Sequence, residues 1–271
     1  MQKRQKFFGV LLSLLMMTAA CANKQHTDQG SDQQETETSS GHRETVELTI
    51  SAAASLKDAM DAIQQSYKEE HPEVSLKFNF GGSGSLQQQI TQGAPVDLFF
   101  SAAEDKFDLL VEEGNIAKED GLDLLGNELV LVVPLGDPLI ESFEDLTKVD
   151  KMSIGTPETV PAGKYAKESL ENMDIWNDVE SKVVYAKDVR QVLSYVETGN
   201  VDAGIVYKTD ALLSDKVEII VSAEPSTHAP IIYPVGIITD SKQYEAAKEF
   251  HNYLQGEDAI KVFKEYGFTT K

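Results

Sequence analysis

VELTISAAASLKDAMDAIQQSYKEEHPEVSLKFNF, residues 46–80, changes its hydrophobic period twice, and that change sets the class of the fold. Residues 46–51 alternate apolar and polar side chains and are β-rich, as a half-buried strand does. From about 56 to 70 the period becomes helical, with Leu56, Met60, Ile63 and Tyr67 along one face. At 74–80 the alternation returns. A strand, an amphipathic helix and a second strand in 35 residues form a βαβ unit, which demands a parallel pair and a crossover.

The same rhythm continues outward. The pattern predicts a short helix over 86–91, a strand at 97–101, a helix carrying Phe107, Leu110 and Val111, and an apolar strand at 128–133 stopped by Pro134. A second series follows: strand 152–154, helix 162–173, strand 182–185, helix 189–198, and strands near 203–207 and 217–221. One more strand, 231–239, precedes two closing helices over 243–254 and 258–266. Alternating strands and helices argue for an α/β protein. Two series predict two lobes, each a mostly parallel sheet flanked by helices, with a ligand cleft between them. The expected division is 45–127 plus 234–271 for lobe one and 128–233 for lobe two. A single doubly wound domain is the simpler alternative.

Upstream the chain carries other information. Lys3, Arg4 and Lys6 precede an uncharged apolar run at 7–20, too short to span a membrane and suited to a signal peptide. The run ends in Thr18-Ala19-Ala20-Cys21. Small residues before a cysteine resemble a lipoprotein processing site, at which Cys21 becomes the lipidated first residue, although Thr18 stands where an aliphatic side chain is usual. Cys21 is the only cysteine, so no intramolecular disulfide forms. Residues 21–44 are polar and nearly free of apolar side chains, and read as a flexible tether. With 24 Lys+Arg against 45 Asp+Glu, a net charge of -21 speaks against nucleic acid as a partner.

The chemistry gathers where small and hydroxyl residues precede helices. Ser55 with Asp58, Ser85 with Gln88, and Asp188 with Gln191 have capping spacing, and Pro161-Ala162-Gly163 is a proline entrance followed by side chains without bulk. Ser101-Ala102-Ala103-Glu104 is a further such turn, at which no binding is expected. Taken singly, each is an ordinary helix cap. Together, several helix N-termini at the carboxyl edge of a sheet can bind an oxyanion through free N–H groups and the positive dipole ends.

At that point a resemblance emerges. AAASL (52–56), GAPVDLF (93–99), VPAGKYAKE (160–168), DVR (188–190), GIVY (204–207) and YGFT (266–269) are similar, in this order, to the periplasmic molybdate-binding protein family. The resemblance covers the folded part from about residue 49 to the end. It implies an extracytoplasmic binding protein that captures molybdate or tungstate and delivers it to the permease of an ATP-binding-cassette importer. It implies that the oxyanion accepts hydrogen bonds from the hydroxyls of Ser55, Ser83 and Tyr207 and from the backbone N–H groups of Ala162 and Val189. Ser85 remains an alternative to Ser83, because this loop is glycine-rich where relatives carry several serines. No catalytic residue, cofactor or direct protein–metal ligand is implied. The chain is expected to be a monomer, lipid-anchored at Cys21 to the outer face of the cytoplasmic membrane.

Rival readings find less support. GGSGS (81–85) lacks the final glycine of a nucleophile elbow and a placed histidine, which argues against a hydrolase. The same stretch lacks the lysine of a P-loop. The five histidines show no metal-ligand spacing. A binding protein for another oxyanion, such as sulfate or phosphate, is the nearer alternative. Trp176, the only tryptophan, reads as a packing residue.

Overall fold

A computed structural model describes residues 45–136 and 139–270. The expected signal peptide, Cys21 and the tether lie outside the described residues. The opening unit forms as the sequence predicts: β1 (Val46–Ala53), a 3-10 turn at Ala54–Leu56, α1 (Lys57–Glu70) and β2 (Val74–Gly81). β1 and β2 pair in parallel, Val46 opposite Val74. Leu56, Met60, Ile63 and Tyr67 are fully buried. Each such side chain contributes about 1.5–3 kcal/mol through burial.

The first sheet is completed by β3 (Leu98–Phe100), β4 (Ile116–Gly126), β10 (Ile232–Ile238) and β11 (Thr269–Thr270), in the order β11-β4-β10-β3-β1-β2. Its connections include α2 (Ser83–Thr91) and α3 (Glu104–Glu112), and α8 (Tyr244–Tyr253) and α9 (Glu257–Glu265) close the chain. The second sheet holds β5 (Leu129–Pro134), β6 (Met152–Gly155), β7 (Val183–Ala186), β8 (Ala203–Tyr207) and β9 (Val217–Ser222), in the order β7-β6-β8-β5-β9. α4 (Pro161–Asn172), α5 (Trp176–Val179), α6 (Val189–Glu197) and α7 (Lys208–Ala211) belong to that half. Trp176 is buried, with the Lys167 ammonium 5.3 Å from its ring centre, so it does pack.

One expectation needs correction, and one element went without prediction. The sheets are mixed instead of mostly parallel. β1–β2, β1–β3, β6–β7 and β6–β8 are parallel, whereas β10 is antiparallel to β3 and β4, and β5 to β8 and β9. The reason lies in the crossings: β5 and β10 each begin a sheet segment after the chain arrives from the other sheet, and no βαβ crossover fixes their direction. Secondly, the sequence pattern assigns no element to residues 116–126, where β4 runs. IAKEDGLDLLG spreads its apolar residues unevenly and has charged residues at 118–120, so alternation fails. The ladder to β10 holds it, with register shifts at Tyr233/Pro234 and Gly236/Ile238. Gly121 faces Gly236 there, and the Phe107 ring lies where a Cβ on either would sit.

The turns at the sheet edges are packed to backbone distance. A Cβ on Gly163 would fall 1.9 Å from the Gly155 carbonyl oxygen, so only glycine lets α4 start hard against the end of β6.

Candidate functional site

Ser55 sits in the 3-10 turn between β1 and α1 and caps nothing. Its Oγ lies 2.9 Å from the hydroxyl of Tyr233, on β10. Asn127, in the link from β4 to β5, donates through Nδ2 to the same Tyr233 hydroxyl at 3.1 Å and to Thr209 Oγ1 at 2.9 Å. Ser83 is the first residue of α2, whose cap position is Gly82. Ser83 Oγ accepts the Ala102 N–H at 2.9 Å. The capping role expected for Ser85 is absent: α2 starts before it, and Ser85 is a half-buried residue inside the helix.

Tyr207 ends β8 and donates its hydroxyl toward the Ala102 carbonyl at 3.4 Å, with its ring 5.7 Å from that of Tyr233. Ser55, Tyr233, Tyr207, Ala102 and Ser83 thus form one buried polar chain. It includes the Ser101–Ala103 turn, where no role was expected, and Tyr233 and Asn127, which carried no motif. Burial foremost holds the hydroxyls of Tyr207 and Tyr233 well above their ordinary pKa, so both keep their protons and remain donors.

The two helix entrances of the second half meet this chain through the glycine loop. The Gly84 N–H donates to the Thr159 carbonyl at 2.9 Å. A Cβ on Gly82 would stand 2.7 Å from the Thr159 oxygen and 3.1 Å from that of Lys187. Thr159 precedes the Pro161-Ala162-Gly163 entrance of α4, and Lys187 precedes Asp188, the cap of α6. The Ser83 loop is therefore pressed between the turns that carry Ala162 and Val189. The N–H groups of a first helical turn have no acceptor within the helix. All five predicted positions are buried: Ser55, Ser83, Ala162, Val189 and Tyr207 are at most 4% exposed. Asp188 does cap α6, its Oδ1 accepting the Gln191 N–H at 2.8 Å.

Asp58, expected only as a capping partner, instead pairs across the interface with Arg190, whose Nε also stands 2.7 Å from Asp210 Oδ1. That second contact is close but badly angled for a hydrogen bond, and neither oxygen of the fully buried Asp210 has a hydrogen-bond partner among the described residues. Burial raises the Asp210 carboxyl to about 7, helped by Asp188 and opposed by Arg190. Lys164 and Asp105 form a second bridge between the halves, at 2.9 Å. Burial disfavours the charge on Asp105, but its bonds to Lys164 and Lys106 outweigh that and hold its carboxyl below the usual range.

The Asp210 shift has a consequence for stability. Between its unfolded value of 3.8 and about 7, the folded chain binds a proton that the unfolded chain does not. Stability should therefore rise as pH falls from about 8 toward 5. Asp210→Asn should flatten that slope. Urea unfolding across that range checks both, and an identical slope in the variant would count against the assignment. Asp105 acts the other way, its contribution being lost as pH falls through its own lowered value.

The sequence pattern of bacterial extracellular solute-binding proteins matches residues 48–269. The chain belongs to the bacterial extracellular solute-binding protein family. Members are binding proteins, and this chain is one of them, not an enzyme. A protein of Bacillus subtilis (strain 168), provisionally named an ABC transporter substrate-binding lipoprotein, is 52% identical over all of both chains. The molybdate-binding protein of Escherichia coli (strain K12) is 37% identical over 83% of this chain and 89% of its own. A solved structure titled as the substrate-binding domain of a molybdenum ABC transporter from Clostridium difficile, an assignment its title marks as provisional, superposes with a TM-score of 0.65 at 45% identity. It covers 83% of this chain and 99% of that one. Among the described residues no helix is long and apolar enough to cross a membrane.

Proposed function

We propose that this family member captures molybdate or tungstate outside the cytoplasm and presents it to the permease of an ABC importer. The observation carrying the reading is the buried meeting of three hydroxyls and two helix entrances at one interlobe site, without a cation among the five donors. Ser55, Ser83, Tyr207 and the N–H groups of Ala162 and Val189 are the proposed donors to one tetrahedral dianion. Fixed dipoles in a dry cleft act at contact distance, whereas the surface charge of -21 is screened within about 8–10 Å. A larger metal oxyanion can reach all donors at once, and a smaller sulfate cannot.

Donors on both sides of the cleft mean that the ligand favours the closed form. The proposed lobes are 45–127 with 234–271, and 128–233. They differ from the sheets by Ile232 and Tyr233, which pair with Gly126 and Leu125 in the first sheet. Cys21 is proposed as the lipid anchor to the outer face of the cytoplasmic membrane, and the protein as a monomer. The similarity to a protein named a lipoprotein over its whole length supports the anchor.

Calorimetric titration with molybdate, tungstate, sulfate and phosphate tests the ligand. Tight one-to-one binding of the first two with sulfate and phosphate silent is expected. Silence from molybdate and tungstate would refute the ligand, and preference for sulfate or phosphate would transfer the site to another oxyanion.

A further inference from the structure

We propose that two ion pairs, Asp58–Arg190 and Asp105–Lys164, form a clasp that draws the two halves together before any ligand arrives, so that closure answers to ionic strength as well as to ligand. The inference rests on the hinged halves proposed above and not on the identity of the ligand.

Each pair joins a side chain of the first half to one of the second. Asp58 lies in the first turn of α1 and Asp105 in that of α3. These helices cover opposite faces of the first sheet. Leu98 and Phe100 of β3 point into the core shared with α1, whereas Phe99 between them points into a separate cluster with Phe107 and Leu110 of α3. Arg190 and Lys164 stand in the first turns of α6 and α4, the two helix entrances of the proposed site. The halves are thus tied on both sides of the sheet.

In each pair one member is already held within its own half. Asp210 faces the Arg190 Nε at 2.7 Å, and Lys106 reaches Asp105 at 3.3 Å. The charge to be met is therefore in place before the halves touch, which lowers the ordering cost of closing. The four bridging side chains are 26–42% exposed. Pairs in contact with water are weak and screened by salt, so the clasp biases closure without locking it.

Gly84 reports on that bias. Its N–H lies in the first turn of α2, where the helix offers no acceptor, and donates to the Thr159 carbonyl of the other half at 2.9 Å. The closed form protects this hydrogen, and the open form lets it exchange with water. Its exchange rate in the ligand-free protein, followed by NMR, therefore measures the open fraction, while amides of β1 mark global unfolding. From about 0.02 to about 0.5 M salt the Gly84 rate should rise about threefold to tenfold. Asp58→Asn combined with Asp105→Asn should raise it by a similar factor at low salt and abolish the salt response. Glu47→Gln removes a charge paired with Lys77 at the start of β1, away from the interface, and should change neither. A Gly84 rate indifferent to salt and to the double variant, yet faster than that of β1, overturns the clasp and leaves the hinged halves standing. A Gly84 amide that exchanges only together with β1 shows that the halves do not part, and removes both. Should the double variant fail to fold, the salt series on the unaltered protein decides by itself.

Discussion

Replacing Ser55 by Ala together with Tyr207 by Phe should weaken molybdate binding by about 3–6 kcal/mol, since each hydroxyl is a proposed donor to a charged acceptor, a bond worth about 1.5–3. That corresponds to two to four powers of ten in Kd. The two hydroxyls come from opposite sheets, Ser55 after β1 and Tyr207 at the end of β8. On the proposed assignment, their loss removes one donor from each side and also weakens closure. Both residues are buried, and Ser55 loses its bond to Tyr233 as well. The variant should be somewhat less stable but folded, which circular dichroism can verify. Calorimetry then decides: affinity equal to that of the unaltered protein would remove these two residues from the site.

The second large effect concerns Arg190. Its guanidinium is the charged partner of Asp210, which is fully buried, and it also holds Asp58 from the other half. Arg190→Ala strands a carboxylate away from water, and breaking a buried pair from one side costs about 3–5 kcal/mol. Asp210 can escape part of that cost by taking up a proton, more readily here because burial already raises it to about 7. The destabilisation should accordingly be smaller at pH 5.5 than at pH 8. Adding Asp210→Asn to Arg190→Ala should recover much of the loss at pH 8. Urea unfolding measures all three, and a cost under about 1 kcal/mol at pH 8 would show that the pair is not the support argued from its burial. The same arginine joins the halves, so its variant should also bind ligand less tightly than Asp210→Asn alone.

Much of this architecture was legible because period and punctuation agree. Helical spacing of Met60, Ile63 and Tyr67, Pro161 at a helix start, and Asp188 three residues before Gln191 all led to the elements observed. The misses share a physical cause, which is that distant partners overrode local signals. β4 exists because β10 offers it a ladder, although 118–120 are charged. Ser85 has capping spacing, yet α2 begins at Ser83, with its Gly82 cap packed on Thr159 and Lys187. Asp58 sits where an N-terminal acid helps a helix, but Arg190, 132 residues away, claims it.

The proposed site divides along the same line. The positions suggested by family resemblance come into one buried region, which no single turn could have announced. Tyr233 and Asn127 stood outside every motif: one reads as a strand aromatic before Pro234, the other as a loop residue. Their significance comes from a contact of Tyr233 with Ser55 across 178 residues. Ala102 likewise matters through its backbone, which serves Ser83 with its N–H and Tyr207 with its carbonyl. Sequence patterns mark side chains, and such backbone roles leave almost no trace in them.

The most direct measurement is a crystal structure of the protein grown with molybdate, the metal located by its anomalous scattering. The account predicts one molybdenum peak between the two sheets. Its oxygens should lie within about 2.7–3.2 Å of the Ser55, Ser83 and Tyr207 hydroxyls and of the Ala162 and Val189 nitrogens. A peak elsewhere, or one held by carboxylates or by lysine and arginine, would contradict it.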